Sequence, residues 1–579
     1  MRHSPRFAVG MAFLAGYQIL QRDIDLTVKD AVDEAVAGNT ELVQALGVAM
    51  VVMAIFAFII RVLSRMAIFD GGRIAEYELR RALLDRLHTL GPSFYGRMST
   101  GEVMSRVTND LAQVRTLLGF GVLTSVNTVF ALVSALSVMI PISSKLTAAA
   151  LSVLPLLFLV MRQLSGQLYT RQRENQEALG SMSESVQASI AGVRVIRSFG
   201  LEAFEARRFD HINQDYLTKA LAIARLRGSM WPVMQTITAI SVVIVFWYGG
   251  HLMLAGELTE GDFLAFYRAL SRLVWPLIAI GFLVSVLQRG RAGYDRIAEV
   301  YSAIPDIVDG DKLGADSAAG SLDVRGLSFA YGESRVLNDV SFELPAGSSL
   351  AIVGRTGSGK STIASLLARL QPTPTGTVFL DGVDVCELPL SAVREVIGFS
   401  QQNPFLFSTT VGRNIGYTLS EPDSQASDAI IRYAASEAQI LPEVEDLPNG
   451  FDTVVGERGV QLSGGQKQRV ALARAFVKEP KILVLDDPLS AVDARTEKAI
   501  LETIDRQRAE RGVLLITHRV SAASRCDQIL VLDKGVVVAR GTHEQLVARE
   551  GLYATFAEEQ RIEGELARLS QAEEEALHV

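Results

Sequence analysis

The sequence predicts a multi-domain fold: an all-α transmembrane part of six helices, followed by a soluble α/β part built around a glycine-rich loop. Three observations predict it. The chain has 579 residues, more than one hydrophobic core ordinarily fills. Long uncharged apolar stretches crowd the chain up to about residue 290, whereas the remainder alternates short apolar runs with charge and turn residues. In that remainder, the loop GRTGSGKS lies between a strand pattern and a helix pattern. The mean hydropathy of +0.25 thus averages a membrane part and a soluble part.

The membrane elements follow in chain order. The apolar run over residues 7–20 reads as the first membrane helix, because no small-residue cleavage site precedes the acidic QRDIDLTVKD. At 1.5 Å per residue it covers roughly 21 Å of a ~30 Å hydrocarbon core, so it must extend through polar residues. Residues 42–60 are apolar except for Gln44, and residues 117–142 carry no charge, so each can span a bilayer. Residues 147–161, 229–256 and about 262–287 supply the other three spans.

Orientation comes from the connections. Residues 61–115 hold nine arginines, and residues 162–227 hold a second basic set that includes Arg171, Arg173, Arg194 and Arg197, so both connections are expected in the cytoplasm. The opposite connections are short (PISSK) or acidic (Asp23, Asp25, Asp30, Asp33, Glu34), and both termini are then cytosolic. Segments such as AEYELRRALLDRLHTL read as amphipathic helices that continue the spans inward. Within them, residues 99–111 and 200–212 are placed to touch a cytosolic domain.

Arg268 and Arg272 fall inside the last span and share a helix face. Two readings stand: both snorkel to the outer interface, or both line a polar cavity and hold an anionic or amphipathic substrate.

The Pro/Gly/Asp-rich residues 302–320 read as a linker, and the soluble domain begins at about Ser321. SLAIV is a buried-strand pattern leading into the loop, and KSTIASLLARL is the helix leaving it. That order turns the GxxxxGK[ST] match into a mechanism. Gly354, Arg355, Thr356, Gly357, Ser358 and Gly359 let backbone N–H groups converge on phosphate oxygens at a helix N-terminus that Thr362 helps to form. Lys360 reaches the β- and γ-phosphates, and Ser361 ligates Mg²⁺. KILVLDD is a second buried strand ending in carboxylates, where Asp486 can hold Mg²⁺ through water.

With LSGGQ at residues 462–466, upstream of that second strand, nearly the whole chain resembles a subunit of an ATP-binding cassette exporter. The resemblance implies an all-α six-helix transmembrane domain of exporter type over residues 1–301 and a linker over residues 302–320. It also implies an α/β P-loop ATP-binding cassette with a helical subdomain over residues 321–560 and an acidic helical tail over residues 561–579. It further implies that Ser463, Gly464, Gly465 and Gln466 cap the γ-phosphate of ATP held by another subunit. Tyr331 resembles the aromatic that stacks on adenine, and Gln402 the glutamine that senses Mg²⁺, with Gln401 as the alternative. Asp493 resembles the residue that couples the two sites, His518 the switch histidine near the γ-phosphate, and Glu457 with Arg458 a segment that contacts intracellular helices.

One position departs from the pattern. The family's catalytic position after Asp486 is normally Glu, the carboxylate that orients and deprotonates the attacking water, and here it is Asp487. Its carboxylate is one methylene nearer the backbone, and a displacement of ~1 Å at a reacting centre can cost about 10²-fold. Such a chain resembles the degenerate-site half of a heterodimer, whose partner is a second, non-identical half-transporter with Glu after its own strand-end Asp.

The expected function is therefore ATP-driven export of an amphipathic drug, lipid or peptide by alternating access, in a multi-pass protein of the bacterial cytoplasmic membrane. An ATP-gated channel or regulatory subunit and an importer of metal–chelate complexes are the alternatives. The net charge of −8, with no dense Lys/Arg stripe, argues against nucleic acid as the main partner. Cys386 and Cys526 are the only cysteines and fit a reducing setting without a disulfide framework.

Overall fold

The computed structural model describes residues 4–312, 319–456, 461–489 and 492–577. Glu457 and Arg458 lie outside the described residues. The chain divides into two compact units: residues up to His88 with Ser99–Ser302, and Thr89–Met98 with Ala303 onward.

The first unit is helical. Helix α1 (Ser4–Val36) is followed by α2 (Thr40–Thr89). A short helix, Thr100–Ser105, then runs through two π-helical turns into α3 (Val122–Ile142). After the short helix Ser144–Leu151 come α4 (Leu154–Ala191), α5 (Glu202–Leu254) and α6 (Glu260–Ser302). Among the described residues, three helical stretches are long and apolar enough to cross a bilayer: Thr40–Thr89, Thr100–Ile142 and Glu202–Leu254. On α2 the apolar side chains Val48, Val51, Val52, Ile55, Phe56 and Phe58 all point outward. A patch of that size would be unstable in water and is what a lipid-facing surface requires.

The unit's centre packs Ala135, Val138 and Met139 of α3 and Val245 of α5 against Ala265, Phe266 and Leu273 of α6. Gly290 shows how closely the helices approach, since a Cβ there would stand 2.6 Å from that of Leu117. Small residues allow such contact where no hydrophobic effect drives helix association.

Two sequence expectations need correction here. The acidic stretch from Asp23 to Glu34 is not a loop, because α1 continues through it to Val36 and Asp25 is fully buried. Residues 147–161 do not form one helix either. The chain turns at Ser152 and Val153, and α4 restarts with Pro155 in its first turn, the helical position that tolerates a missing N–H.

The second unit holds two sheets. Strands β1 (Leu322–Tyr331) and β2 (Ser334–Leu344) form a hairpin, which joins β4 (Val378–Leu380) and β5 (Val383–Asp384) in an antiparallel sheet of order β2-β1-β4-β5. The other sheet contains β3 (Ser349–Gly354), β6 (Ile397–Ser400), β7 (Ile482–Asp486), β8 (Gly512–Ile516), β9 (Gln528–Asp533) and β10 (Val536–Gly541). Its order is β10-β9-β3-β8-β7-β6, parallel except for the β9–β10 edge. Every residue of β3, β7 and β8 is buried, which is why these strands read as unbroken apolar runs.

Helix α7 (Lys360–Leu367) leaves β3, and α8 (Gly464–Val477) packs with the helix Gln425–Glu437 around Ile415, Ile431, Ala435, Val470 and Leu472 to form the helical subdomain. Helices α9 (Ala494–Arg508), α10 (Val520–Ala523) and α11 (Leu552–Leu577) complete the unit. Because α11 is continuous through residue 560, residues 561 onward extend a helix already docked on the domain. The described residues up to Lys312 of the stretch read as a linker are also held: Arg369 donates to the Val308 carbonyl at 2.8 Å, and Lys312 N–H to the Glu387 carbonyl at 3.0 Å.

Candidate functional site

The glycine-rich loop leaves the buried end of β3 and enters α7. Gly357 (φ 82°) and Gly359 (φ 102°) occupy left-handed backbone that side chains disfavour. A Cβ on Gly359 would also stand 2.7 Å from Leu337 Cδ2, so the loop can be this tight only with glycine there. Lys360 folds back over the loop, its Nζ donating to the carbonyls of Gly354 at 2.8 Å and Arg355 at 2.9 Å. Burial pulls the Lys360 ammonium below its ordinary pKa, opposed by the nearby carboxylates Asp487 and Asp486. Burial likewise pushes Asp486 up, although the Ser361 hydroxyl donates to it at 3.1 Å.

These groups line one pocket of about 240 Å³ that runs from Thr356 through Gly357, Ser358, Gly359, Lys360 and Ser361 to Thr362. Gln402, Asp486, Asp487, Thr517 and His518 close it, and Gln401 does not take part. Asp487 follows β7 with φ 48°, its N–H donating to Ile516 at 2.8 Å. Asp and Asn tolerate this left-handed conformation better than most residues. Gln402 Nε2 lies 3.5 Å from Asp487 Oδ2. The buried Oδ1 accepts no hydrogen bond, although His518 Nδ1 stands only 3.2 Å away. A buried carboxylate oxygen without a donor is costly in isolation and is expected where a ligand completes the shell. The cradle, the cation and the oxygen donors therefore fit a nucleotide triphosphate with a hard divalent ion.

Other residues singled out in the sequence lie outside this pocket. Tyr331 ends β1, half exposed, edge-to-face with Phe329 at 5.0 Å. Arg355 contributes its carbonyl rather than its side chain. Asp493 caps α9, accepting from the Arg495 and Thr496 N–H groups at 3.0 Å each and from the Thr496 hydroxyl at 2.7 Å, which holds its carboxyl down at about 2. Ser463 caps α8 in a capping box with Gln466, and Gly465 is buried behind them. Ser463 and Gly464 are exposed, and none of residues 462–466 lines the phosphate-loop pocket. Within one chain, the two motifs do not share a site.

In the helical unit, Arg268 and Arg272 converge on Asp25: Arg268 Nε donates at 3.1 Å, and Arg272 NH2 lies 2.5 Å from the other carboxylate oxygen. The snorkelling reading fails for Arg272, whose head group is turned inward on a fully buried acid. Arg272, but not Arg268, also lines a cavity of about 320 Å³ with Arg61, Arg65, Tyr17, Asn127 and Trp275. Arg61 lies over the Tyr17 ring at 5.4 Å, and no acidic residue lines this cavity among the described residues.

Comparison with known proteins bears on both units. Residues 6–277 match the family described as ABC transporter transmembrane region, and residues 337–490 match the ABC transporter family. The chain is 36% identical over 563 residues to the probable multidrug resistance ABC transporter ATP-binding/permease protein YheI of Bacillus subtilis, covering 96% of this chain and 95% of that protein. The chain belongs to the ABC transporter family. This ABC transporter chain is also 31% identical over 557 residues to the ATP-dependent lipid A-core flippase of Syntrophus aciditrophicus, covering 95% and 91% of the two chains. Its fold matches a bacterial Atm1-family ABC exporter solved with ATP bound, at a TM-score of 0.79 and 27% identity, over 97% of this chain and all of that one.

The ABC transporter chain thus joins the helical transmembrane domain of an exporter to an ATP-binding domain that couples hydrolysis to transport. Sequence reading missed Asp25, Arg61, Arg65 and Tyr17 as site residues. Their only signal was the presence of ionisable groups in or beside apolar helices.

Proposed function

We propose that this chain is one half of an ATP-driven exporter of amphipathic molecules in the bacterial cytoplasmic membrane, paired with a second, non-identical half. The exposure of Ser463 and Gly464 outside the chain's own phosphate-loop pocket carries this reading, since a phosphate site so divided is completed by another chain. Lys360 holds the terminal phosphates against the loop amides, Tyr331 stacks on the base, and His518 faces the terminal phosphate. Asp493 couples the two sites. Ser361, Asp486 and Gln402 would hold Mg²⁺, which neutralises phosphate charge when bound. Asp487, short by one methylene, sets its carboxylate back from the attacking water, so this site retains ATP and turns over slowly, while Ser463, Gly464, Gly465 and Gln466 complete the partner's faster site.

The substrate reading rests on the cavity, where three arginines and three aromatic rings suit a molecule with an apolar body and an anionic head. The names of the relatives, a multidrug resistance protein and a lipid flippase, support the same class.

Steady-state ATPase of the purified chain in lipid, alone and with its natural partner, tests the pairing. Weak activity alone that rises when Asp487→Glu is introduced is expected. Robust hydrolysis by the unmodified chain as a homodimer would remove the two-chain asymmetry.

A further inference from the structure

The last helix reaches the loop that carries the switch histidine. His518 lies between β8 and α10, and its backbone is gripped from α11 by one side chain. Gln560 Nε2 donates to the His518 carbonyl at 2.7 Å, while Gln560 Oε1 accepts from the Val520 N–H at 2.8 Å. A carbonyl can only accept and an N–H can only donate, so this orientation of the amide is the one that satisfies both. The bonds bracket Arg519, whose guanidinium pairs with Glu497 of α9, and Ser521 Oγ donates to the same carboxylate at 3.0 Å.

What holds Gln560 there is packing. Tyr553 is 2% exposed, and Phe556 and Ala557 pack with it on Val520, Ala523 and the buried residues of β3 and β9. Phe556 and Ala557 lie four and three residues before Gln560, hence on the same helix face, and anchoring them aims the amide at the turn. The His518 ring itself is more than half exposed and stands 3.2 Å from Asp487. Its position is set mainly through its backbone.

We propose that Gln560 is a positioning residue for His518, and that α11 thereby sets how strongly this chain prefers ATP to ADP. The proposal rests on the reading that His518 faces the terminal phosphate, a group only ATP has. Without the amide, the His518 carbonyl and Val520 N–H lose their partners and the turn relaxes toward water. The loop amides and Lys360, which hold the phosphates common to both nucleotides, are untouched.

ATP and ADP affinities of the full-length chain in lipid nanodiscs, measured by displacement of a fluorescent ADP, test this. Gln560→Met keeps length and helix propensity and removes both bonds. It should lower ATP affinity about 3- to 10-fold while leaving ADP affinity unchanged, the scale expected for one or two neutral hydrogen bonds. Gln560→Glu keeps the acceptor for Val520 and sets an anion against the His518 carbonyl, so it should show the same selective loss, and it decides the matter if the methionine variant does not fold. His518→Ala should lower ATP affinity selectively, and adding Gln560→Met to it should cost nothing more.

Equal weakening of both nucleotides, or additive losses in the double variant, would overturn the positioning role while sparing His518. If His518→Ala leaves the ATP-to-ADP ratio unchanged, the histidine reading falls and takes the proposal with it.

Discussion

Two buried charge clusters, one in each unit, are built on opposite plans. In the helical unit Asp25 is fully buried and met by two arginines, so its charge is answered within the chain. At the phosphate loop, Lys360 and Asp486 are both pushed by burial toward their neutral forms, and with Asp487 they line an open pocket. A paired buried cluster is costly to break from one side, whereas perturbed charges lining a pocket mark a ligand site. Arg272 belongs to both descriptions, because it closes on Asp25 and also borders the cationic cavity.

The contrast can be broken at several points. The largest effect is expected from Asp25→Ala, which strands the inward Arg272 and takes a partner from Arg268, and should lower stability by about 3 to 5 kcal/mol, read by thermal unfolding in detergent. An unchanged midpoint would mean that Asp25 is not a closing charge. Lys360→Met should reduce ATP affinity roughly 10²-fold with no change in melting temperature, through lost charge-assisted bonds to phosphate. If that variant unfolds instead, the phosphate-loop cluster is structural after all.

Asp487→Glu should raise single-site turnover at least tenfold, approaching the ~10²-fold associated with a 1 Å displacement. No gain would show that the short carboxylate already reaches the water. The smallest effect concerns Asp493, whose folded pKa of about 2 lies below the ordinary carboxylate value. Its cap on α9 therefore contributes fully above about pH 4 and is lost as pH falls through about 2. Hydrogen exchange at the Arg495 and Thr496 amides should accelerate in Asp493→Ala at neutral pH, and in the native chain only in strong acid.

How far the sequence could be read depended on how local each feature was. The strand, loop and helix around Lys360 are contiguous, and glycine spacing alone dictates their backbone, so they were legible in full. The pairing of Asp25 with Arg268 and Arg272 joins residues some 240 positions apart, and a string of acids between apolar runs looks like a loop until its partners are known. The turn at Ser152 and Val153 escaped because hydropathy is blind to backbone continuity, although Pro155 marked the spot. Gln560 carried no signal at all: a polar residue on a polar helix acquires meaning only from the carbonyl and amide it meets.

Residues 89–98 have a practical consequence. They come between two stretches of the helical unit in sequence, yet Ser93 N–H donates to Asp306 at 2.9 Å and the segment packs with the second unit. The backbone therefore passes between the units three times, after His88, after Met98 and after Ser302. A protease that nicks the chain between Ser302 and Ser321 cuts just one of these passages. The two fragments should stay together until denatured, because the N-terminal one still carries a decapeptide folded into the other. An expression design that begins the soluble domain at residue 303 leaves that decapeptide behind.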